Sequence, residues 1–290
     1  MDILLTGGSG QVGIELTRFA WPTGIQVHAP SRDVLDLADP ASVARALAER
    51  RWDAVISSGA YTGVDKAEND VAAAWAVNAL APAILASAAA QAGIPIVHVS
   101  TDYVFAGDKD GFYVEEDSVA PQNVYGASKE GGEQAVRTAN SRHAIIRTAW
   151  VVSPHRSNFV RTMLRLAADR DELAVVADQH GCPTFAGDLA AAIARVTLAL
   201  ATEDGAPTGT YHFVNAGEST WHEFAAAVFA ASARRGGPFA RVRPITTAEY
   251  PTPAKRPANS RLATEKIRSA FGIAPRPWRD ALDETLAALV

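Results

Sequence analysis

Five short apolar runs, at residues 3–6, 25–29, 54–57, 94–100 and 144–148, constrain this chain more than any other feature, because a segment of helical pattern fills each gap between them. Runs this short are strands, and strands apolar throughout are buried on both faces. Their alternation with helices calls for βαβ units, so the expected fold is α/β, a Rossmann-type doubly wound parallel sheet. Asp39-Pro40 supplies an N-cap followed by proline at the first helical position, Asn123 can cap the helix that follows it, and Gly93 can close the alanine-rich helix before the fourth strand.

After Trp150 the alternation loosens. A helix at about 158–169, a strand at 173–176, a helix at about 188–200 and a strand at 210–214 precede a helix at 221–233, an Arg/Pro-rich piece at 241–261 and a terminal helix at 278–289. This pattern predicts a smaller, interleaved C-terminal substrate-binding domain. Residues 1–150, with parts of about 177–215, form the expected dinucleotide-binding domain; about 151–176 and 216–290 form the substrate domain.

Composition limits the partners. A net charge of −5, a sequence pI near 5.8 and the lack of any basic block argue against a nucleic-acid polymer or a membrane surface. The single cysteine, Cys182, excludes an intrachain disulfide and has no companions for a zinc site, which fits a reducing compartment. No basic leader precedes the first apolar run, and no apolar stretch is expected to reach membrane-spanning length. Residues 71–92 are alanine-rich but interrupted by Trp75, Asn78, Pro82, Ser87 and Gln91, and are expected to form a buried, kinked helix. The expectation is a cytoplasmic monomer or homodimer acting on a small molecule.

Gly7, Gly10 and Gly13 follow the first strand and open a helix. In that setting Gly7 permits a tight turn, Gly10 lets the backbone through Gln11 and Val12 approach a pyrophosphate, and Gly13 lets helix and sheet pack closely. The adenosine ribose should be read after the second strand, at His28-Ala-Pro-Ser-Arg-Asp33. Ser31 and Arg32 suit a 2′-phosphate and so NADPH; Asp33 or Asp36 bonding the ribose would suit NADH instead. Asp36 and Leu37 are expected near the adenine, and Ala60, Tyr61 and Thr62 near the other ribose.

Tyr125 and Lys129 lie four apart on one predicted helix, so they share a face. A phenol beside an ammonium is expected to ionise more easily than an isolated one, which suits a proton donor to a reduced carbonyl. Thr101 ends the fourth strand, at the sheet edge where ligands of parallel sheets bind, and can join them. Asp102 follows, either as a cap or as a substrate contact. The histidines, including His98, have no metal-ligand spacing and are expected to be structural or exposed.

These residues, with Tyr61-Thr-Gly-Val-Asp-Lys-Ala-Glu68, Asn78, Ser100-Thr-Asp-Tyr-Val-Phe105, Arg147-Thr-Ala-Trp150, Asp178-Gln179, Pro183-Thr184 and Arg256-Pro257, run nearly end to end along the chain. They make it similar to the extended short-chain dehydrogenase/reductase family, and within that family to reductases of dTDP-4-keto-6-deoxy sugars. The resemblance implies hydride transfer from NADPH or NADH to a sugar C4 carbonyl, with Tyr125 protonating the oxygen and Thr101 hydrogen-bonded to it. Lys129 would lower the Tyr125 pKa and hold the nicotinamide ribose, and Asn78 would position Lys129 or a relay water. Asp102, Trp150 and Arg256 would bind the dTDP-sugar, Arg256 at the pyrophosphate; a core tryptophan and a solvated arginine are the alternatives.

Some relatives form a magnesium-bridged dimer through an N-terminal Glu and an acidic cluster. Glu15 and Asp188 are the candidates here, but Gly187 stands where an acidic residue is usual, so no metal is assigned. A related epimerase or 4,6-dehydratase would share the glycine turn and the Tyr/Lys pair, but a dehydratase continues Thr-Asp-Glu where this chain has Tyr103. A non-catalytic regulatory subunit, also known among relatives, would not need Thr101, Tyr125 and Lys129 together.

Overall fold

The computed structural model describes all 290 residues. Strand β1 (Asp2–Thr6) leads through a glycine turn into α1 (Gln11–Arg18); β2 (Gln26–His28), α2 (Pro40–Ala48), β3 (Ala54–Ser57), α3 (Val71–Gln91), β4 (Ile96–Thr101), α4 (Val124–Ala139) and β5 (His143–Thr148) follow in the expected alternation. Beyond them come α5 (Phe159–Ala167), β6 (Glu172–Val176), α6 (Ala186–Thr202), β7 (Gly209–His212), α7 (Trp221–Ala233), β8 (Arg241–Ile245) and α8 (Trp278–Ala287). The central sheet has the order β7-β5-β4-β3-β1-β2, and every neighbouring pair is parallel.

The apolar runs are unbroken because both faces of this sheet are covered. Ile3, Leu5, Ile56, Val97 and Ile146 pack on one face against Leu189 and Ile193 of α6. Leu4, Val55, Ile96 and Ile145 point the other way, onto Val43 of α2 and Leu85 of α3. Each such side chain contributes roughly 1.5–3 kcal/mol on burial. A separate cluster joins Val160 of α5, Leu173 of β6, Phe224 and Val228 of α7, and Trp278 and Leu282 of α8. The helix caps are those expected: Asp39 accepts from Ala41 N at 2.9 Å, Asn123 Oδ1 accepts from Gly126 N at 2.8 Å, and Gly93 takes φ +69°.

Two expectations need correction. The Arg/Pro-rich piece contains a strand, β8, which pairs in parallel with β6 despite Pro244 and two outward arginines. A two-stranded ribbon leaves one edge of each strand free, and proline is tolerated on a free edge. The helix α3 is also continuous over 21 residues with a mean hydropathy of 1.7, long and apolar enough to cross a membrane by length and composition, and only a third of that stretch is buried. Asn78 and Pro82 do not end it: a π-helical turn at Ala76–Leu80 widens the helix, and Pro82 falls in the first turn of the α-helical piece that follows. One side of α3 packs on α2 and α4, leaving Val71, Trp75 and Leu80 exposed.

Asn123 links this scaffold to the C-terminal half, since its Oδ1 caps α4 while its Nδ2 donates to Lys255 O at 2.9 Å. Replacing Asn123 by Ala should lower stability by about 1–2 kcal/mol in a denaturant titration, because a cap and an interelement bond are lost together.

Candidate active site

The carboxyl ends of β1, β3 and β4 open onto one crevice of about 900 Å³. The glycine turn forms one wall. Gly7 has φ +73°, a left-handed conformation that disfavours any side chain, and a Cβ there would lie 2.5 Å from Gly59 Cα of the turn after β3. At Gly13 a Cβ would fall 2.1 Å from Gly7 O, so this glycine lets α1 close onto its own turn rather than onto the sheet, as first expected. The result is a backbone cradle at a helix N-terminus that fits the phosphates of a dinucleotide.

Gly7, Gly10, Gln11, Val12 and Gly13 all line the crevice, as do Ala60, Tyr61 and Thr62. The Gln11 side chain, however, is turned to the segment after β5, accepting from Ser153 Oγ and Asn158 Nδ2 at 2.9 Å each. At the far end lie Arg32, Asp36 and Leu37, with Arg32 Nε 3.6 Å from Asp36. Ser31 is not part of this lining; its carbonyl accepts from Val34 N and Leu35 N.

Thr101, Asp102, Tyr125, Lys129 and Trp150 meet at the other end. Thr101 Oγ1 donates to Asp102 Oδ1 at 2.9 Å, and Ser260 Oγ donates to the second oxygen of the same carboxylate. Burial outweighs these bonds and raises the Asp102 pKa to about 6. Tyr103 packs edge-on against Tyr125, with ring centroids 5.5 Å apart.

The Tyr125 phenol is shifted opposite to the sequence expectation. Burial raises its pKa well above the usual value, against a smaller opposing effect of the Thr101 hydroxyl. The cation does not offset this, because Lys129 Nζ donates to Val99 O at 2.6 Å and lies 3.5 Å from His98 Nε2. Burial lowers Lys129 itself to about 8, with the Glu133 charge pushing the other way. His98 is fully buried and is held well below its usual pKa, first by desolvation and then by Lys129, so its neutral ring can accept from the ammonium while its Nδ1 faces Ser57 Oγ at 3.1 Å. Asn78 does not hydrogen-bond Lys129: it bonds both backbone groups of Tyr61 and the Ser128 hydroxyl.

The stripe that starts at Tyr125 and Lys129 continues to Glu133 and Arg137 at the same spacing. Burial works against the Glu133 carboxylate, but Arg147 of β5 bonds it twice, at 2.9 and 2.8 Å, and together with Arg137 keeps it ionised. Sequence reasoning did not single out this pair, although the repeated four-residue spacing signals it.

Trp150 takes φ +50° and stacks on Trp221 at 3.6 Å, and a Cβ on Gly181 would lie 2.4 Å from its indole. Arg256 does not line the crevice. Its guanidinium is paired with Asp65 at 2.6 Å and with the Tyr103 hydroxyl at 3.2 Å, so it is neither solvated nor free. Glu15 pairs with His155 at 3.1 Å, while Asp188 accepts from Arg276 and Asn215, and within one chain there is no cluster of three metal-type side chains.

A parallel sheet with a glycine turn at one end of its crevice and Thr101, Tyr125 and Lys129 at the other defines a dinucleotide-dependent reductase of the short-chain type. The chain belongs to the RmlD substrate binding domain family, whose model matches residues 1–290. A dTDP-4-dehydrorhamnose reductase of Sinorhizobium fredii is 43% identical over 291 residues, an alignment covering 100% of this chain and 98% of that one. The crystal structure of a dTDP-4-dehydrorhamnose reductase of Clostridium acetobutylicum superposes with a TM-score of 0.93 at 36% identity, covering 100% of this chain and 99% of the other. A reductase of the same name from Bacillus anthracis, solved in complex with NADP, superposes with a TM-score of 0.91 at 34% identity, covering 99% and 98%.

Two measurements check the electrostatics. Titration of the ligand-free protein by NMR of the lysine ammonium groups is expected to show Lys129 charged below about pH 8 and neutral above it, rather than at the usual 10.5. Replacing Glu133 by Gln strands Arg147 in the interior and should cost about 3–5 kcal/mol in a denaturant titration.

Proposed function

We propose that the protein reduces the C4 carbonyl of dTDP-4-dehydro-β-L-rhamnose to dTDP-L-rhamnose with NADPH. The observation that carries this reading is the convergence of Thr101, Tyr125 and Lys129 on the crevice that also contains the glycine turn. Support comes from the whole-chain family match and from relatives of that name, one of them solved with NADP. In this reading residues 1–150, with parts of about 177–215, hold the dinucleotide, and about 151–176 and 216–290 hold most of the sugar nucleotide. The separate hydrophobic cluster of α5, β6, α7 and α8 supports that division.

The reduced nicotinamide, when bound, supplies the hydride. Tyr125 gives its proton to the C4 oxygen, and a phenol kept protonated by burial is in the form a donor requires. Thr101 now directs its proton at Asp102; turning that hydroxyl toward the substrate oxygen supplies a second hydrogen bond as charge develops, while Ser260 keeps Asp102 satisfied. Lys129, fixed by Val99 O and His98, has one donor left for a nicotinamide ribose hydroxyl. At the far end Arg32 takes the 2′-phosphate, exchanging Asp36 for a more highly charged partner.

The test is an assay with dTDP-4-dehydro-L-rhamnose and either NADPH or NADH, following absorbance loss and the C4 configuration of the product; no consumption of either cofactor overturns the reading. Tyr125→Phe should reduce turnover by roughly 10²–10⁴-fold with an unchanged melting temperature. Arg32→Ala should weaken NADPH roughly ten- to a hundredfold in a fluorescence titration and leave NADH binding unaltered.

A further inference from the structure

The chain leaving β5 does not go straight to α5. Residues 151–158 cross over the glycine turn as a strap, bound to it at several points. Ser153 and Asn158 both donate to Gln11 Oε1, and Gln11 Nε2 donates to Val151 O at 3.3 Å. His155 closes the outer edge, 3.1 Å from Glu15 and 3.0 Å from Arg18.

At the apex of this strap Arg156 takes φ +57°, one of only two residues in the chain other than glycine with positive φ. A side chain with a Cβ is disfavoured there, and a strained residue at a ligand site points to a role for that side chain. Arg156 Nε donates to Ser9 O at 2.7 Å, which lays the guanidinium on the glycine turn at the crevice wall. No carboxylate lies within ion-pair distance of it.

The other cations of the crevice each face a partner within the protein. Arg32 faces Asp36, Lys66 faces Asp70, and Lys129 is buried at the opposite end against Val99 O. Backbone N–H groups at the start of α1 can hold phosphate oxygens, but they bring no full positive charge to an anion carrying two.

We infer that Arg156 is a phosphate-binding arm for the dinucleotide, holding the pyrophosphate against the glycine turn. Its Nη1 and Nη2 donors are the ones left for two phosphate oxygens, in the fork geometry that suits them. The assignment rests on the dinucleotide reading given above and differs from the Arg32 contact in one respect: the pyrophosphate is common to NADPH and NADH, whereas the 2′-phosphate is not.

Dissociation constants for NADPH and NADH, from fluorescence titration of the unaltered protein, R156G and R156K, test it together with thermal melting of each ligand-free protein. R156G should weaken both dinucleotides by a similar factor, about ten- to a hundredfold. Its melting temperature should hold or rise, since glycine relieves the left-handed backbone. R156K should recover part of the affinity, as a point charge without the fork. Unchanged affinity in R156G overturns the assignment. Loss confined to NADPH also overturns it, by moving the contact to the 2′-phosphate, and loss accompanied by a lower melting temperature makes Arg156 a structural prop. If the unaltered protein binds neither dinucleotide, the dinucleotide reading itself fails and this assignment fails with it.

Discussion

Tyr125 and Lys129 can reach the crevice only because α4 is clamped to the sheet two turns further along. Glu133 is buried and bonded twice by Arg147 of β5, whose own strand lies beside the one ending in Thr101. A buried ion pair of this kind adds little net stability, but breaking either half leaves a charge in the interior, so the helix cannot slide or rotate without a large penalty. The close approach at Gly132, where a Cβ would lie 2.1 Å from Asn78 O, fixes the same helix against α3. Between these two contacts the phenol and the ammonium have little freedom left.

The interior position that fixes them also sets their acid–base character. Burial, not the neighbouring cation, dominates the Tyr125 phenol, and the ammonium is spent on Val99 O instead of the phenol. Spacing along a helix tells which residues share a face, but it does not tell where a long side chain ends or how much solvent surrounds it. That is why the spacing put the pair on one helix face at the crevice and mistook the sign of the shift.

The same distinction separates what was legible from what was not. Strands buried on both faces leave continuous apolar runs, so the five runs, the parallel sheet and the helix between each pair could be read directly. The glycine spacing was legible because a turn that admits no Cβ leaves a mark in composition. Arg256 was not: its partners, Asp65 and Tyr103, are distant in sequence, and only the folded chain brings them together. Nor was Arg156, since a loop apex has no periodicity and an arginine in a left-handed conformation looks like any other arginine. The helix at α3 was legible but its uninterrupted length and its exposed side were not, because a π-turn can carry Asn78 inside the helix without ending it.

Gly7 and Gly59 come from different turns, yet Gly59 occupies the space a side chain on Gly7 would need, and a Cβ on Gly59 would lie 3.2 Å from Gly7 N and 2.5 Å from the Leu37 side chain. Gly59 N also donates to Thr6 Oγ1 at 3.1 Å, so the two turns are stitched as well as nested. For a population of diverging sequences this couples the two positions. Gly7 cannot acquire even a methyl group while Gly59 stays in place, and a methyl group on Gly59 would crowd Gly7 and displace the Leu37 side chain. Drift at the rim of the crevice is therefore blocked by geometry before selection on catalysis has any part in it.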